Sequence, residues 1–194
     1  MNVYPPSEDS ELLAEVALNE VKSDDEVLEV GVGSGFVSSK IKDKCKLLIA
    51  TDISPFAVAE SKRKNIEVIR TDLTKGLKKK FTLILFNPPY LELSECEKTG
   101  DWIEKAIDGG KHGIEVIKRF LDEVREVLDE EHGRIILIIS SFNIPFVFRE
   151  IEKRGFMYEI LGNKKLFFEE IFALKIYLKR NTGKAAGDGV DTEW

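Results

Sequence analysis

Glu29-Val30-Gly31-Val32-Gly33-Ser34-Gly35 decides how the rest of the chain reads. It closes the apolar run Val27-Leu28-Glu29-Val30, a buried strand by pattern, and opens a helical stretch over 35–43. Glycines at alternate positions let the backbone turn tightly and approach a ligand closely. Outward from this loop, strand-like and helix-like runs alternate. Segments 47–51, 66–69, 81–86 and 134–139 read as strands, and 55–65 and 113–128 as helices. In the last of these Ile114, Ile117, Leu121, Val124 and Leu128 recur at helical spacing. Alternation of this kind predicts a parallel, doubly wound α/β sheet with helices on both faces. Residues 7–21 form a leading helix with Ser7 or Asp9 as cap and Leu12, Leu13, Val16 and Ala17 inward. After a helix over 145–153, two more strands, 156–161 and 171–178, are joined by about ten residues without helical pattern. No right-handed crossover fits there, so the seventh, C-terminal strand is expected to be antiparallel and to end the sheet.

At 194 residues the chain is expected to form one domain over 1–180, with the Gly-, Ala- and Asp-rich stretch 181–194 as a disordered tail. A net charge of -6 argues against nucleic acid as the main partner, and the runs Lys62-Arg63-Lys64 and Lys78-Lys79-Lys80 read as solvated faces. Cys45 and Cys96 follow no CxxC or Cys/His pattern, so neither a structural metal nor a disulfide is expected. No apolar run reaches membrane-spanning length and no secretory pattern opens the chain, which makes the cytoplasm the expected compartment.

A dinucleotide fold wants a small residue at the sixth position of the glycine loop, and here that position is Phe36. Glu29, two residues before the first glycine, would repel a pyrophosphate. A cationic ligand suits it. S-adenosylmethionine carries a sulfonium and an ammonium and has no phosphate. Asp52, 21 residues after Gly31 at the end of the second strand, is placed to accept both ribose hydroxyls. Asp72, after the third strand, would accept from the adenine amine. The cofactor residues expected from the loop ends are Glu29, Gly31, Gly33, Gly35, Asp52 with Ile53, Asp72 with Leu73, and Asn87.

Asn87-Pro88-Pro89-Tyr90 follows the apolar run Phe81-Thr82-Leu83-Ile84-Leu85-Phe86. Two prolines cannot continue a central strand, so the turn is stiff, polar first and aromatic last. Methyl transfer needs a nitrogen lone pair aimed at the methyl carbon, and in an amide or aryl amine that pair is delocalised. Acceptors on both N–H bonds would redirect it. The Asn87 side-chain oxygen and the Pro88 carbonyl can serve as that pair, with Tyr90 and Pro89 against the planar group. These residues alone leave open a protein amide, an adenine amine of DNA or RNA, or an inactive cofactor-binding scaffold.

Together with Asp108-Gly109-Gly110-Lys111-His112-Gly113 ahead of a long helix, these motifs resemble the HemK/PrmC family of class I methyltransferases. The resemblance covers about residues 1–180 and implies a Rossmann-like fold, S-adenosylmethionine as donor, and the glutamine of a release-factor Gly-Gly-Gln motif as acceptor. The lead Tyr4-Pro5-Pro6-Ser7-Glu8-Asp9-Ser10 and the run Lys165-Leu166-Phe167-Phe168-Glu169-Glu170 look like the archaeal and eukaryotic branch, without room for the helical domain of bacterial members. The resemblance implies that Tyr4, Glu8 and Asp9 close over the cofactor and that 91–112 lines the substrate entrance. It also implies a small zinc-binding activator subunit that covers apolar surface and extends the sheet. Residues 108–110 read equally as a helix-initiating turn, and Trp102, Ile103 and Ile107 as packed against the sheet.

Overall fold

The computed structural model describes residues 3–94 and 96–179, so the expected tail at 181–194 lies outside the described residues. Strands β1 (Glu26–Val30), β2 (Leu47–Asp52), β3 (Val68–Arg70), β4 (Leu83–Phe86), β5 (Arg134–Ser140), β6 (Phe156–Lys165) and β7 (Glu170–Leu178) form one sheet. Its order is β3-β2-β1-β4-β5-β7-β6. The first five strands pair in parallel, and β7 runs antiparallel to both β5 and β6. This is the mostly parallel, seven-stranded, doubly wound sheet read from the sequence. From β1 the chain winds outward to β3 and then returns to place β4 on the other side of β1. The crevice at that reversal is where such sheets bind ligands.

Among the described residues there are six α-helices, α1 (Glu8–Glu20), α2 (Phe36–Ile41), α3 (Pro55–Arg63), α4 (Trp102–Ile107), α5 (Glu115–Glu123) and α6 (Ile144–Lys153), all but α4 burying side chains. All of β4 and β5 is buried, because successive side chains point to opposite faces and both faces are covered. Leu83 and Leu85 join Leu12, Leu13 and Val16 of α1 and Val37 and Ile41 of α2 in one core. Ile84 and Phe86 join Ile117, Phe120 and Leu121 of α5 and Val147 and Ile151 of α6 in the other.

Three elements differ from the sequence reading. The connection before β7 is a tight turn over 166–169, closed by Leu166 N–H donating to the Glu169 carbonyl at 2.8 Å, because β6 runs on to Lys165. The sheet therefore ends on β6, with the antiparallel β7 inside it. Physical reason favours that order: β7 buries Ile171, Ala173, Leu174 and Ile176, whereas β6 buries only Phe156. The helix expected over 113–128 is α5 flanked by single 3-10 turns at Lys111–Gly113 and Val124–Glu126. Finally, α4 forms where no helix was expected, started by Asp101 Oδ1 accepting from the Ile103 and Glu104 N–H groups. Among the described residues no helix is long and apolar enough to cross a membrane, and no group of three His, Cys, Asp or Glu side chains could hold a metal.

Candidate active site

A cleft of about 430 Å³ opens at the carboxyl ends of β1, β2 and β4. Tyr4, Asp9, Glu29, Gly31, Gly33, Asp52, Ile53, Asp72, Leu73, Asn87, Pro88, Pro89 and Tyr90 all line it. Two residues singled out from the sequence stand elsewhere. Glu8 is exposed at the start of α1. Gly35 caps α2 with φ +75°, and a Cβ there would come within 2.7 Å of the Ile66 side chain, so its need is for packing.

Glu29 is 4% exposed and accepts a hydrogen bond from Ser38 Oγ. Burial, only partly offset by that hydroxyl and reinforced by the charge of Asp52, pushes its carboxyl up to about 7. Asp52 is held flat by two backbone donors, Gly33 N–H to Oδ2 at 2.9 Å and Ser54 N–H to Oδ1 at 2.8 Å. Each oxygen keeps a further lone pair for a ligand. Asp72 has a different setting from the one expected. Against burial, Lys75 at 2.7 Å and Arg119 of α5 hold its carboxyl below the usual range. Arg119 also lines the cleft, and no local pattern could have announced a residue 47 positions from its partner.

The turn after β4 carries the most telling atom. Asn87 Oδ1 is buried and has no hydrogen-bond partner, and the same is true of Thr51 Oγ1, another residue of the cleft wall. A buried acceptor without a donor costs about 1–3 kcal/mol, and both oxygens are free to accept an N–H or O–H. The Pro88 carbonyl accepts no backbone hydrogen bond among the described residues. Tyr90 donates from Oη to Asp9 Oδ2 at 3.3 Å. Asp9, 5% exposed, also accepts from Ser7 Oγ at 2.7 Å, and Tyr4 Oη lies 3.3 Å from that same hydroxyl. The lead segment is thereby tied to the Asn87 turn. Burial, with the charges of Asp9 and Glu169, pushes the Tyr90 phenol well above its ordinary value, so it stays neutral.

Residues 108–113 start a helix and also brace this turn. Leu91 N–H donates to Ile107 O at 3.1 Å, and Gly109 N–H to Leu91 O at 2.7 Å. A Cβ on Gly109 would come within 2.6 Å of Pro89 O, and one on Gly113 would fall inside the Tyr90 carbonyl. Asn143, a residue the sequence gave no reason to choose, donates from Nδ2 to Tyr90 O and Gly113 O, each at 3.5 Å. Its Oδ1 accepts from Ser140 N–H at 3.1 Å. Trp102, Ile103 and Ile107 are not packed into the sheet as expected. None is buried, and Trp102 and Ile107 line the cleft because α4 sits over its mouth.

The sheet order, the inserted antiparallel strand and a ligand cleft built around a buried acid place this protein among the class I methyltransferases, a class that uses S-adenosylmethionine. Residues 7–153 match the methyltransferase small domain family. A Methanocaldococcus jannaschii protein provisionally named a protein N5-glutamine methyltransferase is 37% identical over 90% of this chain and 91% of its own length. Human "Methyltransferase HEMK2" is 37% identical over 79% of each chain. A chain of the E. cuniculi Mtq2-Trm112 complex, responsible for methylation of the eRF1 translation termination factor, superposes with a TM-score of 0.76. It is 25% identical, over 92% of this chain and 100% of that one. The chain belongs to the methyltransferase small domain family and, within it, to the HemK/PrmC-like glutamine methyltransferases of the archaeal and eukaryotic branch.

Proposed function

We propose that this protein transfers a methyl group from S-adenosylmethionine to the side-chain amide of the glutamine in a release-factor Gly-Gly-Gln motif. The observation that carries the reading is the orphaned Asn87 Oδ1 at the end of β4. Accepting one amide N–H there and the other at the Pro88 carbonyl turns the nitrogen lone pair out of conjugation. Both interactions strengthen as the nitrogen becomes positive, which favours the transition state over the ground state. Tyr90, neutral and anchored on Asp9, supplies a ring face to the planar amide. When bound, S-adenosylmethionine supplies an electrophilic methyl carbon on sulfur. On this reading Gly31 and Gly33 bring backbone against it, Asp52 takes its ribose hydroxyls, Glu29 its cationic end, and Tyr4 and Asp9 close the site. Asp72 with Leu73 flanks the base, Asp72 acting within its pair with Arg119.

A small zinc-binding activator would sit on the β3 edge. That strand has three residues and an open side, and Ile53, Phe56 and Ile69 nearby are 46, 42 and 43% exposed.

Glu29 gives the reading a pH signature. A carboxyl whose folded pKa is raised contributes most favourably below its ordinary value of 4.5, and that contribution is lost as pH rises through about 7. Ligand-free Glu29→Gln is therefore expected to be more stable than the parent at pH 8, by up to about 3 kcal/mol, and similar at pH 5 by urea unfolding. Cofactor affinity of the parent should fall about tenfold from pH 8 to pH 6 by calorimetry, as the acid protonates, while Glu29→Gln binds weakly at both. A flat parent profile would remove Glu29 from the cofactor site.

The decisive assay combines the protein, with and without the zinc-binding activator, with labelled S-adenosylmethionine and a release factor. Label should enter the factor and disappear when its Gly-Gly-Gln glutamine is replaced. Methylation of RNA or DNA with none of any release factor would sink the proposal.

A further inference from the structure

Phe167 and Phe168, at the tip of the β6–β7 hairpin, are 90 and 84% exposed, and Phe142, just after β5, is 68% exposed. The first two rings stand edge to face with centroids 4.6 Å apart. We propose that this aromatic rim is where the enzyme grips the protein that carries the acceptor glutamine. The inference rests on the functional reading above and adds to it the surface that holds the substrate.

The hairpin is held to the catalytic turn through short, continuous contacts. Ser140 Oγ donates to Glu169, Ser141 N–H to Glu170 O at 2.7 Å, and Glu170 N–H returns to Ser141 Oγ at 3.2 Å. Asn143 extends the chain of bonds from Ser140 to the Tyr90 carbonyl. Leu166, at the hairpin's base, packs on the same apolar cluster as Tyr90. Glu169 is close enough for its charge to act on the Tyr90 phenol. The hairpin tip that carries the two phenyl rings is therefore held at the same end of the sheet as Asn87, β7 lying two strands from β4.

The occupant follows from reach and charge. A glutamine amide nitrogen stands only about 5 Å from its own Cα, so the acceptor chain must descend onto the rim for that nitrogen to meet Asn87. The two glycines before it offer no side chain to hold. Purchase must come from the surface around the motif, and at the hairpin tip and just after β5 that surface presents the exposed rings of Phe167, Phe168 and Phe142. The charges beside them are balanced and do not make the positive surface that phosphate needs: Glu169 and Glu170 flank the rings on one side, and of the two lysines on the other Lys165 is exposed while Lys164 is paired with Glu11 at 2.7 Å. An apolar patch on a folded release-factor domain is the partner that fits.

The test is steady-state kinetics of the full chain, with its activator, on an intact release factor. Phe167→Ser/Phe168→Ser is expected to raise KM for the factor about tenfold or more, with kcat at saturation within about twofold. S-adenosylmethionine affinity and the unfolding midpoint should match the parent, since both rings are solvent-exposed. Phe142→Ser should raise KM by a smaller factor. A factor whose glutamine is replaced should inhibit the double variant more weakly than the parent, by the same ratio as the KM change. An unchanged KM, or a fall in kcat or cofactor affinity instead, overturns the docking role while leaving the functional reading intact. A loss of RNA binding with KM for the factor unchanged assigns the rim to nucleic acid and also overturns it. A parent enzyme that methylates no release factor defeats both.

Discussion

Asn87→Ala is expected to lower methyl transfer about a hundred- to thousand-fold while leaving S-adenosylmethionine affinity within about threefold. The size follows from what is removed: one of two acceptors whose interaction grows as charge develops on the acceptor nitrogen, its oxygen being buried at the cleft wall. The asymmetry follows from where the oxygen sits. Asn87 Oδ1 has no partner in the ligand-free protein, so its loss breaks no existing bond and the turn keeps its two prolines and its anchor on Asp9. The variant should fold as the parent does, because no hydrogen bond of the ligand-free protein is lost with the side-chain oxygen. Single-turnover rates with labelled donor, set beside calorimetric cofactor binding, decide the matter. Cofactor affinity that collapses in step with transfer would mean that Asn87 serves the donor and not the acceptor.

Gly113→Ala is the second large effect, and it acts through the backbone. Gly113 has φ +65°, and a Cβ there would be driven into the Tyr90 carbonyl oxygen, a backbone atom that cannot swing aside. Left-handed backbone strain of about 1–2 kcal/mol adds to overpacking of about 1–3 kcal/mol, for a total of about 2–5 kcal/mol. Gly76→Ala separates the two contributions, because Gly76 has φ +80° but nothing within 4 Å of the added methyl. It should cost only the backbone part and leave transfer intact. Gly113→Ala should displace Tyr90 and Pro89 and cut transfer at least as severely as Asn87→Ala under conditions where it remains folded. Equal denaturation midpoints for the two variants, or full activity of Gly113→Ala, would show that residues 108–113 do not brace the catalytic turn.

Much of the sheet could be read from the sequence because its signals are local and apolar. Phe81 to Phe86 is a buried run stopped by two prolines, and Ile135 to Ile139 an unbroken one; neither period nor length leaves another reading. The order of β6 and β7 was less accessible. Both are strands by composition, and which lies inside depends on how deeply β7 packs its alternating apolar side chains against the helices. The short α4 was missed because it buries nothing, although Asp101 followed three residues later by Glu104 is a capping pattern that marks its start. In the site, the glycine loop, the acidic residues and the Asn87 turn are each contiguous motifs at strand ends, and they converge on one cleft. Arg119, Asn143 and the bracing role of Gly109 and Gly113 act across the fold through single atoms, at sequence distances where no periodicity operates. Residues 108–110 lead into α5 as the helix-initiating reading had it, and the same turn packs against the backbone of Pro89, Tyr90 and Leu91.

With strands spaced about 4.8 Å apart, β3 and the β6–β7 hairpin at opposite ends of the sheet are separated by roughly 25–30 Å. An activator on one flank and an acceptor on the other would never compete for the same ground. Each could be exchanged for a different molecule over evolutionary time without renegotiating the other, while the central crevice kept its chemistry. With both proposed surfaces in use the enzyme would be a two-socket device, in which choice of target and dependence on a helper could be inherited separately.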